Sequence, residues 1–317
     1  MHNRIVYIGA PEADAASFEA RARRDFPELD LFATNDRGAA LAKVADADGV
    51  IAHHFQFDED LLRRATRLRW IQSLTTGTDA ILKLDALRPE VTVTSTRGMH
   101  GPQMSELVFF QMLALLRDMR RLSRNQAQAR WERWPQPLLL GKTVVVVGVG
   151  AISECLAPRC KAFGMQVCGV SSSARVPAGF DRMFERGELR TAAALADFLV
   201  LIIPLSTQTE NLIDATVLAA MKPSAYLINV ARGGVLDEEA LMTALREKRL
   251  AGAALDVFRE QPLPKEHPLW RAENVMITPL IGGMSDIYLD QAYDIVRDNL
   301  RQFLAGSPDA MRNVVPH

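Results

Sequence analysis

The chain has too little cysteine to be stapled, too little net charge to seek a polyanion, and no apolar run long enough to cross a bilayer. Cys155, Cys160 and Cys168 are odd in number and lack C-x-x-C spacing. Buried thiols in a reducing cytoplasm are therefore expected, with neither a disulfide framework nor a metal site. Lys and Arg total 37 against 38 Asp and Glu, a formal net charge of −1. That balance gives no reason to expect nucleic acid or an anionic membrane as a partner. No apolar run approaches the roughly 20 residues of a membrane span. The Met-His-Asn-Arg start runs straight into a strand-like segment with no leader pattern, so a cytoplasmic location is expected. What is present is ordinary: 317 residues, 48% apolar and 24% charged, enough for two soluble domains.

Short apolar runs alternate with amphipathic ones. The pattern predicts strands at 4–8, 29–33, 49–52, 68–74 and 91–94, and helices at 12–24, 39–45 and 58–65. Strands and helices alternating at this spacing imply βαβ units and parallel sheets. Residues 106–122 are apolar on all sides and predict one long helix, buried between domains or in a subunit interface. A Pro-broken connection, Trp131 to Pro137, precedes a second series of strands at 142–147, 166–170, 199–202, 226–229, 252–255 and 274–277. The closing helix carries Tyr288, Ala292, Ile295, Val296, Leu300, Phe303 and Leu304 at helical spacing, with Ser285 as the expected N-cap and Gly306 as the stop.

Lys142–Val147 runs into Gly148-Val-Gly150-Ala151-Ile152-Ser153. A buried strand, a glycine turn and a helix start form the context in which a dinucleotide's pyrophosphate sits on a helix N-terminus. Gly148 permits the tight turn and Gly150 lets the backbone approach the ligand; Ser153 stands where a third glycine is usual. Pro158 is expected to bend the helix or cost it a hydrogen bond. The next strand ends in Ser171-Ser172-Ser173-Ala174-Arg175 in place of the acid that holds a ribose diol. Hydroxyls and an arginine suit a 2′-phosphate, so NADP(H) is favoured and NAD(H) kept as possible.

Three further stretches carry a resemblance: Pro204-Leu-Ser-Thr-Gln-Thr209-Glu, Asn229-Val230-Ala-Arg232-Gly-Gly-Val-Leu-Asp-Glu-Glu-Ala-Leu, and Ala254-Leu-Asp256-Val-Phe. With them the chain resembles the D-isomer-specific 2-hydroxyacid dehydrogenases, a family that includes glyoxylate/hydroxypyruvate reductases, phosphoglycerate dehydrogenase and formate dehydrogenase. The resemblance implies an α/β fold of two doubly wound parallel-sheet domains. A flavodoxin-like substrate domain (1–103 plus 286–317) would hold an inserted Rossmann NAD(P)-binding domain (104–285), with a cleft between them and a homodimer as the assembly. It implies an oxidoreductase acting on a small acidic substrate, a 2-oxo or 2-hydroxy acid. Arg232 would hold the substrate carboxylate and polarise its carbonyl, a task suited to a fixed guanidinium fork. Thr76 and Gly77 would offer backbone N–H groups to the same anion. Asp256 would lie near the nicotinamide carboxamide, Pro204 and Thr209 on the adenine side, and Val230 and Gly282 along the cofactor.

Two positions depart from the family's pattern. Its glutamate precedes a proline after Asp-Val-Phe; here Gln261 stands there. Its histidine follows Thr-Pro; here that residue is Leu280. In the usual site the glutamate raises the histidine's pKa and the histidinium supplies the proton as hydride moves. Formate dehydrogenase resembles this chain in having Gln at the first position but keeps the histidine. His53 and His54, at the carboxyl end of a parallel strand, are the candidate substitutes; His267 belongs to another loop. The expectation is hydride transfer with a non-standard proton donor. The alternatives are a dinucleotide sensor or a reaction needing no proton relay.

Overall fold

The computed structural model describes residues 3–11, 13–173 and 175–317. Glu12, the expected start of the first helix, and Ala174, in the serine-rich loop, lie outside the described residues. The chain divides into two compact units, Met1–Met99 with Met284–His317, and His100–Gly283.

The first unit is a five-stranded parallel sheet of β1 (Arg4–Ile8), β2 (Asp30–Thr34), β3 (Gly49–Ala52), β4 (Trp70–Ser73) and β5 (Thr92–Thr94), ordered β2-β1-β3-β4-β5. That is the doubly wound order of flavodoxin-like sheets. Its crossovers carry α1 (Ala15–Asp25), α2 (Arg37–Lys43) and α3 (Glu59–Arg64). Each starts on an aspartate: the carboxylates of Asp14, Asp36 and Asp58 accept from backbone N–H groups three residues on.

The second unit opens with α4 (Gly101–Leu116) and α5 (Met119–Ala127). The one long helix expected over 106–122 is thus two. Asp118 adopts φ 52°, which breaks the helix, and its carboxylate caps α5 through the Arg121 N–H at 3.1 Å. An apolar stripe is blind to such a break because both pieces keep the same composition. Met104, Leu107, Val108 and Met112 of α4 are buried against Leu156, Ala157 and strand residues of their own unit.

A seven-stranded parallel sheet follows, with β6 (Thr143–Val147), β7 (Gln166–Ser171), β8 (Arg182–Glu185), β9 (Phe198–Leu201), β10 (Tyr226–Asn229), β11 (Gly252–Leu255) and β12 (Val275–Ile277). The order β12-β11-β10-β9-β6-β7-β8 reverses direction between β6 and β9, as in a Rossmann fold. Strand β8, Arg-Met-Phe-Glu, was not expected: it is an edge strand with two charged residues and only Phe184 fully buried, so it lacks the apolar run of its neighbours. The crossovers are α6 (Ala151–Ala162), α7 (Leu189–Leu195), α8 (Ala215–Ala220) and α9 (Glu238–Arg246). Pro158 sits inside α6, and the helix nevertheless continues four residues past it.

Helix α10 (Tyr288–Leu304) completes the first unit. Its expected stripe is buried except for Leu304, and Phe303 stacks on Trp70 at 5.0 Å between ring centroids. Ser285 is not its N-cap. The helix starts after Ile287 with no side-chain cap, and the Ser285 hydroxyl bonds Gln291 Oε1 instead. Gly306, at φ 71°, does end it. Cys160 and Cys168 are buried as expected, and burial pushes the Cys160 thiol up to about 12; Cys155 is only half-buried. Among the described residues no helix is long and apolar enough to cross a membrane, and no group of His, Cys, Asp and Glu could hold a metal.

Candidate active site

In a parallel sheet every strand ends at the same edge, so the turns after β6, β7, β10, β11 and β12 rim one side of the second unit. The turn after β6 is Gly148-Val149-Gly150. Gly148 adopts φ 99°, and a Cβ there would stand 2.7 Å from the backbone N and Cα of Ile203. Only glycine satisfies both limits. Gly150 is exposed, with no atom within 4 Å of where its Cβ would project. The Ser153 hydroxyl closes the turn, accepting from the Gly150 N–H at 2.8 Å and donating to the Gly150 carbonyl at 2.9 Å. Ala151 and Ile152 open α6 behind it. An open glycine surface at the start of a 12-residue helix fits a dinucleotide pyrophosphate.

After β7, Ser171 Oγ accepts from the Ser173 N–H at 3.0 Å, while Ser172 is exposed. Arg175 turns back onto α6 and pairs with Glu154. After β9, Pro204 is exposed, and Thr209 is buried with its hydroxyl donating to the Pro204 carbonyl at 2.7 Å. That hydroxyl is engaged in holding its own loop.

The turn after β10 presents Arg232. Asn229, fully buried at the strand end, accepts from the Ala231 N–H and donates to the Arg232 carbonyl, each at 3.1 Å. This amide staple fixes the backbone from which the arginine projects. The guanidinium is half-buried and donates to the Ala231 carbonyl at 2.8 Å. Val230 is buried.

The loop after β12 is built on Asp256, at the end of β11 and only 2% exposed. Its carboxylate accepts from the Thr278 hydroxyl at 2.5 Å and from the Ile281 and Gly282 N–H groups at 3.1 Å each. Gln111 of α4 donates to Thr278 Oγ1 at 3.2 Å, extending the network. A Cβ on Gly282 would stand 2.6 Å from Leu107 and 3.0 Å from the Asp256 carboxylate, so the loop also needs a small residue there. Leu280, at the centre, adopts φ 57° and is half exposed; Gln261 and Glu260 are exposed. The His100 ring lies against Gly283 at the far end of this loop, while His267 caps a short 3-10 turn through the Leu269 N–H.

In the first unit, His53 and His54 follow β3 and differ sharply. His53 is 2% exposed and packs on Phe55 and Tyr288, with ring centroids 5.3 and 5.4 Å away. Burial, and then the nearby His54, lower its pKa to about 4, so at neutral pH it is uncharged. His54 is half-buried, and its Nδ1 lies 3.0 Å from Thr75 Oγ1. The Thr75 hydroxyl also reaches the Gly77 carbonyl at 3.0 Å. His54 is thereby tied to the turn carrying Thr76 and Gly77, an association that residue spacing alone did not show.

Comparison with known proteins places the fold in a family. The family described as "D-isomer specific 2-hydroxyacid dehydrogenase, NAD binding domain" matches residues 109–282. The chain belongs to the D-isomer-specific 2-hydroxyacid dehydrogenase family. It is a two-domain, NAD(P)-dependent 2-hydroxyacid dehydrogenase-like enzyme with a Rossmann NAD-binding domain. A glyoxylate reductase of Thermococcus litoralis is 32% identical over 280 residues, covering 85% of this chain and 84% of that protein. A D-isomer-specific 2-hydroxyacid dehydrogenase family protein of Aeromonas salmonicida superposes with a TM-score of 0.91 at 32% identity, covering 99% of both chains. An NADPH-dependent glyoxylate/hydroxypyruvate reductase of Sinorhizobium meliloti, solved with NADP and sulfate, gives 0.85 at 27% identity, covering 99% of this chain and 98% of that one.

Sequence reasoning missed how these loops are braced. Asn229 and Asp256 stood inside quoted motifs, but the carboxylate's grip on the 278–282 loop and Gln111's part in it depend on contacts 22 to 167 residues apart. No local pattern signals them.

Proposed function

We propose that the chain is an NADP(H)-favouring oxidoreductase that interconverts a small 2-oxo acid and its 2-hydroxy acid, with its proton supplied by a group other than residue 280. The observation that carries this reading is the placement of Arg232, on a buried amide staple, at the same sheet edge as the open Gly148–Gly150 turn. Gly148, Gly150, Ala151 and Ile152 would seat the pyrophosphate, and Ser171, Ser172 and Arg175 the ribose phosphate. When bound, the nicotinamide supplies or accepts the hydride. Arg232 holds the substrate carboxylate in its guanidinium fork and draws electron density from the adjacent carbonyl, which lowers the barrier at C2. Asp256 keeps the 278–282 loop in place without touching the substrate. The NADP-bound Sinorhizobium meliloti neighbour is in keeping with the cofactor preference.

The test is NADPH oxidation with a panel of glyoxylate, hydroxypyruvate and larger 2-oxo acids. Turnover that disappears in Arg232→Ala supports the reading. No turnover with any member, while NADPH still binds, overturns it in favour of a dinucleotide sensor.

Leu280 favours a second reading, a reaction that needs no proton delivered to oxygen. Installing Leu280→His with Gln261→Glu separates the two. If the site merely lacks its acid, turnover on the 2-oxo acid rises toward the roughly 10²–10⁴-fold that general acid catalysis contributes. If the site serves a different reaction, it does not.

A cytoplasmic homodimer completes the proposal. Phe110, Leu122, Trp131, Leu138, Leu140 and Phe163, all in the second unit, are large apolar residues at least 41% exposed, the kind of surface that association covers. Sedimentation equilibrium at micromolar concentration tests the dimer.

A further inference from the structure

The serine-rich stretch 171–175 at the end of β7 contains no acid, yet an acid reaches it from elsewhere. Glu154 lies in the first turn of α6, four residues past Gly150. Its carboxylate takes the Arg175 guanidinium in a two-point grip, Oε1 to Nη1 at 3.0 Å and Oε2 to Nη2 at 3.4 Å. Arg175 is thus not an open cation waiting at the strand end. Its fork is already occupied by an anion carried on the cofactor helix itself.

We infer that Glu154 narrows the preference for NADP(H) over NAD(H) by masking Arg175; the inference rests on the proposed role of Arg175 in holding a 2′-phosphate. A phosphate monoester carrying nearly two negative charges must displace a carboxylate from the same fork. The pair is largely exposed, with side chains 68% and 34% accessible, so it is a weak latch that a phosphate can open. A dinucleotide with a plain ribose meets no such competition. Glu154 therefore weakens NADPH relative to NADH without contacting the nicotinamide or the substrate. It does, from a helix, part of the discriminating work that an acid at the end of β7 would do.

The experiment is direct titration of the full-length protein with NADPH and with NADH, followed by nucleotide fluorescence in the absence of substrate. Glu154→Gln keeps the shape and removes the charge. It should tighten NADPH about fivefold, the upper range for an exposed pair, and change NADH by less than about twofold. In an Arg175→Ala background the same substitution should have no effect on NADPH, because nothing remains to mask. Equal shifts for both nucleotides, no shift for NADPH, or an effect that persists without Arg175 would each overturn the inference. Arg175→Ala alone reports on the underlying reading. If it leaves the NADPH-to-NADH ratio unchanged, the 2′-phosphate assignment fails whatever Glu154 does. If it weakens NADPH while Glu154→Gln does nothing, only the masking fails. Both side chains are at the surface, and a thermal melt of each variant verifies that the fold is intact.

Discussion

The turn after β6 and the loop after β12 leave the same edge of one parallel sheet, but they are built in different ways. At the first, the residues proposed to meet the ligand are the ones the chemistry asks for: Gly148 at φ 99° against the Ile203 backbone, and Gly150 facing open space. At the second, the loop is firmly held and a leucine stands where the family resemblance implies a histidine. Asp256 grips Thr278, Ile281 and Gly282, yet the residue this holds in place is a leucine. A loop can therefore be firmly anchored by a buried carboxylate and still present an isobutyl group. Scaffold and chemistry are separable here because different residues carry them.

The contrast should break most dramatically at the glycine turn. Gly148→Ala puts a methyl 2.7 Å from backbone atoms that cannot swing aside, at a φ that L-residues avoid. Steric strain of this kind costs about 3 kcal/mol or more, so urea unfolding should show a large loss of stability together with loss of NADPH binding. Gly150→Ala is the control, since its Cβ meets nothing. That variant should fold normally and lose only the dinucleotide. A Gly150→Ala protein that binds NADPH like the parent would mean that this turn is not the pyrophosphate seat.

These two loops also mark what the sequence disclosed and what it concealed. The parallel sheets, the Rossmann half and the strand-to-helix glycine turn were legible because apolar periodicity and glycine placement are local signals. Strand β8 was not, because an edge strand with charged residues carries little apolar pattern. The break at Asp118 was hidden because a left-handed residue followed by a cap leaves an apolar stripe intact. In the candidate site, Arg232 and Leu280 could be proposed from position, whereas the Asp256 network joins α4, β11 and the loop after β12 and exists only in three dimensions. The same holds for His53 and His54: neighbours in sequence, one is buried and uncharged at neutral pH and the other is tied to Thr75.

A smaller effect is expected where the second loop is anchored. Asp256→Ala leaves the Ile281 and Gly282 N–H groups and the Thr278 hydroxyl without their acceptor. Orphaning these donors, two buried and one partly so, costs about 2–3 kcal/mol after water and relaxation recover part of the loss. Hydrogen exchange should accelerate at residues 281 and 282 and leave the Gly148 N–H, which bonds the Val170 carbonyl, protected as before. Equal acceleration at both would show that the two loops are one cooperative unit and that the contrast drawn between them is false.

The smallest effect concerns Leu280 itself. A leucine at φ 57° bears a cost of about 1–2 kcal/mol from its Cβ against the following carbonyl. Histidine and asparagine are several-fold enriched in that region of backbone space, so the loop's geometry suits them better than it suits leucine. Against this stands the apolar surface of a half-exposed side chain, worth about 1 kcal/mol when half of a leucine is removed from water. Leu280→Asn has no acid to offer, and if strain outweighs burial it should raise stability by about 0.5 kcal/mol in urea unfolding. Leu280→His should gain a similar amount, and any turnover it adds beyond the asparagine variant is then chemical in origin. A loss of stability in both would show that the isobutyl group is held there by its contacts. Leucine would then be part of the loop's packing, and its left-handed backbone would be tolerated for the sake of those contacts.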